Sequence, residues 1–360
     1  MNATDGVTPP ATKRVTWYDT IIVGGGQAGL AAGHHLAKHD VDFVILDAGQ
    51  RIGDSWRNRW DSLQLFTPAR YSGLPGMPFP DSPMRFPDKD QVGDYLARYA
   101  ERFDLPVLTN TAVTSLEGDG PGFLLRTSGG VFTANNVIVA TGPFQRPRVP
   151  AMAVQLGDHI HQLHSLDYRS PFDLPEGPVL VVGAGNSGSQ IAMELSRFRS
   201  VTVAGRSIGR LPRTILGVDL FRWAWPVFQH LSLDTWLGRR LRDRTLSADP
   251  LIGITPADLA AHRVRRVGRV TEVHHGLPHA DGRPVDARVV IWATGFAHDF
   301  GWIRLPVFEP SGFPRHRRGA AEVPGLYFLG LRFQYRQSSA LIGGVGADAE
   351  FIAADIARRD

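Results

Sequence analysis

The sequence predicts an α/β protein made of two similar parallel-sheet units, one interrupting the other. Three observations carry this. The chain has 360 residues, too long for one ordinary domain and suited to two at about 150 residues each. Residues 19–36 (DTIIVGGGQAGLAAGHHL) and 177–195 (GPVLVVGAGNSGSQIAMEL) each pass from a short β-branched run through G-x-G-x-x-G into a helix-like run of small and apolar residues. Two further runs, VIVATG at 137–142 and VIWATG at 290–295, each end a buried-strand pattern with Thr-Gly.

The first turn carries Gly24, Gly26 and Gly29, with Gln27 opening the helix. The first glycine allows a tight turn, the second lets a phosphate approach the backbone, and the third lets helix and strand pack closely. The phosphates then meet a helix N-terminus. The next strand, VDFVILD, ends at Asp47, 18 residues after Gly29. An acid there accepts hydrogen bonds from ribose hydroxyls, which suits the adenosine of FAD. The second turn carries Gly183, Gly185 and Gly188, with Asn186 and Ser187 between them. Its next strand, SVTVAGR, ends at Arg206, 18 residues after Gly188 and followed by Ser207. Equal spacing reads as the same slot holding a cation, which pairs with a 2′-phosphate and favours NADPH over NADH. The competing reading makes Asp47 and Arg206 plain strand-end charges.

These units are dinucleotide-binding (Rossmann-like) domains, with the NADPH domain inserted into the FAD domain. The FAD domain is expected at 1–147 plus 290–360 and the NADPH domain at 148–289. Residues 216–247 interrupt the second unit with clustered aromatics (Phe221, Trp223, Trp225, Phe228, Trp236) around Pro226. Three readings stay open for them: a helical hairpin packed on the NADPH domain, a roof over a substrate channel, or a membrane-touching amphipathic face.

The absence of cysteine removes disulfides, thiolate metal sites, iron–sulfur clusters and CxxC redox pairs. No His spacing suits a metal. The net charge of +4 is modest, and the arginine stretches 239–244 and 263–269 lack interleaved aromatics, so no nucleic-acid partner is expected. No apolar run is long enough to span a membrane. Residues 1–16 read as a lead-in without a signal-peptide pattern, which makes the cytoplasm the expected location. The oligomeric state stays open, a homodimer being one arrangement.

From residue 18 onward the chain resembles the class B flavoprotein monooxygenases, above all the flavin-containing monooxygenases of short bacterial type. GGGQAGL at 24–30 looks like the FAD fingerprint and GAGNSGSQIAMELS like the NADPH fingerprint. GRSIGRLPR at 205–213 looks like the 2′-phosphate site, and IWATGF and GLYFLGL like late flavin-domain strands. The segment IGDSWRNRWDSLQLFTPARYSGLPGMPFP at 52–80 is the most specific match. The signature F-x-G-x-x-x-H-x-x-x-Y is kept only at His164 and Tyr168, since Asp158 and Ile160 stand at its Phe and Gly places. After Thr67, Pro68 replaces an Asn found in many members.

The resemblance implies a monooxygenase that uses NADPH and FAD to pass one oxygen atom from O2, through a C4a-hydroperoxyflavin, to a small lipophilic sulfide, amine or ketone. It places Ser55, Trp56 and Arg57 beside the flavin and Val113 beside the adenine. Ala140, Thr141, Gly142, Thr294, Gly295, Gly330 and Leu331 would line the cofactors. His164, Tyr168 and Thr67 are the catalytic candidates, with His164 read either as a structural residue at the domain junction or as holding NADP+ over the flavin. The alternative is an NADPH-dependent flavoprotein reductase passing electrons to ferredoxin or another acceptor. A non-catalytic flavin sensor is disfavoured, because it would need no second fingerprint.

Overall fold

The structure is a computed structural model that describes residues 15–206, 209–247 and 250–359. The first unit runs β1 (Val15–Val23), α1 (Gln27–Ala37), β2 (Phe43–Leu46), α2 (Asp54–Arg57), α3 (Lys89–Arg102), β3 (Val107–Leu108), β4 (Val113–Asp119), β5 (Gly122–Thr127) and β6 (Val131–Val139). The second runs β7 (His161–His164), β8 (Val179–Val182), α4 (Asn186–Leu195), β9 (Val201–Ala204), α5 (Leu220–His230), α6 (Trp236–Ser247), α7 (Pro256–Ala261), β10 (Arg265–Val267) and β11 (Val289–Trp292). The chain then returns through β12 (His316–Arg317), β13 (Ala320–Ala321), β14 (Leu326–Phe328) and α8 (Gly346–Ile356).

The first sheet has the order β12-β13-β14-β6-β1-β2-β3, with the β4–β5 hairpin attached to β6. Its central pairings β14–β6, β6–β1, β1–β2 and β2–β3 are parallel. The second sheet has the order β10-β9-β8-β11-β7 and is parallel throughout. Central strands such as Phe43–Leu46, Val179–Val182 and Val289–Trp292 are buried along their whole length, as expected where helices or loops cover both faces of a parallel sheet.

The two orders coincide: β14-β6-β1-β2-β3 in the first sheet matches β7-β11-β8-β9-β10 in the second. This corrects the reading of VIWATG as a flavin-domain strand. Val289–Trp292 pairs with β8 and β7, so the chain stays in the second unit until Trp292 rather than leaving it at 290. The physical reason is the duplication itself. Ala140 N–H bonds the Val23 carbonyl at 2.8 Å, and Ala293 N–H bonds the Val182 carbonyl at the same distance, so each Thr-Gly strand serves its own glycine turn. Just beyond them, Arg146–Pro147 pairs antiparallel with Phe296–Ala297, which ties the two crossings between units into one ribbon.

Two apolar cores flank the first sheet and two the second. Trp56 packs against one core of each unit. The 216–247 insert forms α5 and α6, and the ring contacts of α5 reach back to the first unit. Phe221, Trp225 and Phe228 recur at helical spacing on α5. Phe221 lies 6.1 Å from the Phe66 ring and Trp225 lies 5.2 Å from the Tyr71 ring, both partners belonging to the first unit. Ser338 Oγ donates to the Phe228 carbonyl at 3.2 Å, and Leu233 N–H to the Tyr335 carbonyl at 2.9 Å. Among the described residues, no helix is long and apolar enough to cross a membrane.

Candidate active site

Each glycine turn is shaped by steric necessity. Gly24 and Gly183 adopt φ of 110° and 121°, a region side chains rarely enter. A Cβ on Gly29 would lie 1.9 Å from the Gly24 carbonyl oxygen, and one on Gly188 the same distance from that of Gly183. The helices that follow share a second property. α1 and α4 begin at Gly26 and Gly185 with no side-chain cap, whereas α3 and α7 carry complete capping boxes from Asp88–Gln91 and Thr255–Asp258. A Cβ on Gly26 would meet nothing within 4 Å. Helix N-termini without side-chain caps are what a diphosphate needs, so both cradles fit a dinucleotide, and the open space at Gly26 adds to this in the first. The opening residues hold neighbouring loops: Gln27 Oε1 accepts from Trp56 Nε1 at 3.3 Å, and Asn186 bonds both the Pro250 carbonyl (3.1 Å) and Ile252 N–H (2.9 Å).

The ribose slots differ more than the sequence suggested. Asp47 accepts from Gly25 N–H at 2.5 Å and Gly49 N–H at 2.7 Å, which orients its carboxylate and leaves lone pairs for ribose hydroxyls. Thr111 N–H bonds the Asp47 carbonyl, bringing the chain before Val113 alongside the adenosine end, and Val113 opens β4 at a bulge opposite Thr127. In the second unit Gly183 N–H bonds the Ala204 carbonyl, as Gly24 N–H bonds that of Leu46. The residue equivalent to Asp47 is therefore Gly205, and Arg206 is one position further on. Counting from the last glycine of each motif missed this, because strand register and not helix length sets the slot. Arg206 is exposed, with no hydrogen bond or ion pair to the described residues. Ser207 lies outside the described residues.

The segment 52–72 crosses the seam between units. Ser55 is exposed, while Arg57 is held by the Ile52 carbonyl (2.7 Å) and Asp94 (2.8 Å), fastening the loop to α3. Thr67 is buried, and its hydroxyl lies 3.0 Å from that of Ser72, so it closes the 67–72 turn. Opposite it, Gly330 approaches Ala28 at the start of α1, and Leu331 is buried behind it. Gln145 Nε2 donates to Thr141 Oγ1, and Gly142 turns the chain with φ of 73° beside Ala140.

The catalytic candidates are all buried, and His164 shares the Phe296 ring with Arg59, its ring centroid 5.0 Å from that of Phe296. His164 Nδ1 accepts from Leu166 N–H at 3.1 Å, which leaves Nε2 protonated and donating to the Gly295 carbonyl at 3.1 Å. Burial pushes its pKa below the usual value, although the Gly295 bond and Asp167 oppose this. Both ring nitrogens are engaged by backbone, the geometry of a strut at the junction. Gly295 also accepts from Arg148 N–H, and Thr294 Oγ1 donates to the Arg148 carbonyl. Tyr168 is wholly buried in the second unit's core, its hydroxyl donating to Glu194 at 2.7 Å. Burial and that carboxylate both push its pKa up. It fastens the chain after β7 to α4.

Sequence reasoning missed Arg59, the third residue of an R-N-R run that no motif singles out. Its guanidinium carbon lies 5.8 Å from the Phe296 ring centroid, and Nε donates to the Ser55 carbonyl at 3.1 Å. A separate cavity of about 670 Å³ lies between α6 and the β12–β13 region, lined by Arg242, His298, Phe313 and His316 among others, and contains neither glycine turn.

Comparison with known proteins agrees with this arrangement. Residues 21–215 match the pyridine nucleotide-disulphide oxidoreductase family. An uncharacterized CzcO-like oxidoreductase of Geobacillus kaustophilus is 43% identical over 94% of this chain and 98% of its own. Indole-3-pyruvate monooxygenase YUCCA4 of Oryza sativa is 30% identical over 94% of this chain and 87% of its own. The flavin-containing monooxygenase of Stenotrophomonas maltophilia superposes with a TM-score of 0.78 at 28% identity, covering 96% of this chain and 99% of that one. With no cysteine, this chain cannot run a dithiol branch of the family's chemistry. It belongs to the flavin monooxygenases of that family and is an oxidoreductase that uses FAD and NADPH.

Proposed function

We propose that the chain transfers one atom of O2, by way of a C4a-hydroperoxyflavin, to a small lipophilic sulfide, amine or ketone. The overall balance is NADPH, a proton, O2 and substrate giving NADP+, water and the oxygenated product. In this reading the first unit holds FAD and the second NADPH. The flavin supplies the redox chemistry, and the chain's residues position and shield it.

One observation carries the reading beyond a plain reductase. The aromatic face of α5 lies over Phe66 and Tyr71 of the first unit, on the 52–72 segment that in this reading flanks the flavin. A roof there excludes water from a reactive oxygen adduct, which an electron-transfer reductase does not need. Apolar lining also suits a lipophilic substrate. Asp47, the α1 N-terminus and Trp56 would hold FAD, while the α4 N-terminus and Arg206 would hold NADPH. The expected cytoplasmic location rests on the sequence reading.

The test is rapid mixing of the reduced enzyme, with NADP+ bound, against O2. A transient C4a-(hydro)peroxyflavin spectrum is expected. Its absence, with prompt return of oxidised flavin, overturns the proposal. Turnover on a thioether, a tertiary amine and a cyclic ketone then assigns the substrate class.

A further inference from the structure

We propose that Arg59 is an oxyanion clamp in the cleft, pairing with either the diphosphate of the nicotinamide coenzyme or a carboxylate on the substrate. This rests on the second unit's being the NADPH unit.

The first support is position. Arg59 follows α2, whose Trp56 bonds Gln27 at the start of α1. On the other side it faces Phe296, next to Gly295 on the strand end that touches Gly183 and Gly188 through Ala293. It thus sits on a loop tied at one end to the start of α1 and faces the strand end that abuts the second glycine turn.

The second support is charge. Arg59 is half-buried, and among the described residues its hydrogen bond runs from Nε to the Ser55 carbonyl, with neither terminal nitrogen engaged there. No acidic side chain forms an ion pair with it among the described residues. The charged group nearest in effect is another cation, Arg169, already donating to the Leu166 and Tyr168 carbonyls. Burial and Arg169 together weaken its hold on its proton. A desolvated cation without a counter-charge is costly unless an anion completes it. A planar guanidinium with two free nitrogens suits bidentate phosphate or carboxylate.

Arg59→Met tests this, because it keeps the apolar stem against Phe296 and removes only the charge. The probes are NADP+, 2′,5′-ADP and 4-(methylthio)benzoate, measured by titration calorimetry on the FAD-loaded protein. If the coenzyme is the source, NADP+ binding weakens roughly 10- to 100-fold while 2′,5′-ADP, which keeps only the adenosine-side phosphate of the diphosphate, weakens less and the benzoate is unchanged. If the substrate is the source, only the benzoate weakens by that factor. Arg59→Lys restores part of either loss. The melting temperature stays level or rises, since an unpaired buried cation is gone. Unchanged binding of all three probes overturns the proposal. So does a fall in melting temperature with equal weakening of every probe, which marks a structural role. Failure of the wild-type protein to bind 2′,5′-ADP would instead sink the NADPH-unit reading.

Discussion

Coenzyme choice should follow the slot held by Gly205. In the first unit Asp47 reaches Gly25 N–H at 2.5 Å, and a Cβ on Gly25 would come 3.0 Å from that carboxylate, so the acid needs glycine opposite. In the second unit the pair is reversed: a Cβ on Gly205 would lie 2.9 Å from Ala184 N and 3.0 Å from its Cβ. The double substitution Ala184→Gly with Gly205→Asp therefore rebuilds the first unit's geometry. A carboxylate about 4 Å from a 2′-phosphate is repelled by ~4 kcal/mol at an effective dielectric constant of 20. Solvent exposure and salt reduce this to about 2 kcal/mol. A new bond to the ribose hydroxyl adds about 1.5 kcal/mol for NADH. Together they shift the NADPH-to-NADH preference by a few hundred-fold, at ~1.4 kcal/mol per factor of ten. Anaerobic stopped-flow flavin reduction with each coenzyme measures the ratio. A shift below tenfold, or a parallel loss for both, would refute the placement of Gly205 against the ribose.

Three further outcomes are expected. Arg206→Ala should raise the Michaelis constant for NADPH about 10- to 100-fold with little change for NADH, and equal effects would remove the 2′-phosphate role. Tyr168→Phe should leave flavin reduction and oxygen chemistry unchanged while lowering stability by about 1–3 kcal/mol in urea unfolding, because Glu194 loses its buried donor; a loss of turnover with intact stability would restore a catalytic role. Acid should destabilise the fold through buried histidines. His35 and His316 are pushed down to about 4 and His164 is also lowered, burial being the main cause in each. The unfolded chain then binds more protons, so stability is full above about pH 6.5 and falls as pH drops towards 4, by about 2–3 kcal/mol at pH 4.5 for His35 alone. A melting temperature flat between pH 7 and 4.5 would contradict this.

Glycine turns were legible in the sequence because their constraint is local: a Cβ at Gly29 or Gly188 collides with a backbone atom five residues away. Asp47 stood out because an acid at a strand end is a charge the sequence displays directly, and its carboxylate accepts from Gly25 N–H in that same turn. Arg206 slipped by one position because its slot depends on how β9 pairs with β8, a tertiary fact. His164 and Tyr168 matched a spacing pattern, but spacing does not say which way a side chain faces. In this fold one meets two backbone groups and the other enters the core beside Ile191 and Leu195. The placement of α5 was hidden because its partners, Phe66 and Tyr71, lie about 150 residues earlier. Arg59 carried no signal, since a half-buried cation and an exposed one look alike in a run of arginines. The assignment of VIWATG to the flavin unit overlooked a full second copy of the strand order.

The ribbon formed by Arg146–Pro147 and Phe296–Ala297 has a mechanical meaning. Two independent tethers would let one unit slide and rotate freely over the other. Tethers zipped side by side behave as a single flexible strap, so the units can swing about it but cannot translate without breaking its hydrogen bonds. Any such swing must also act on the Leu233–Tyr335 contact, a second link between the insert and the returning chain. Any relative motion of the two units would therefore load the strap and that contact together, and a substitution in the strap would be felt at both.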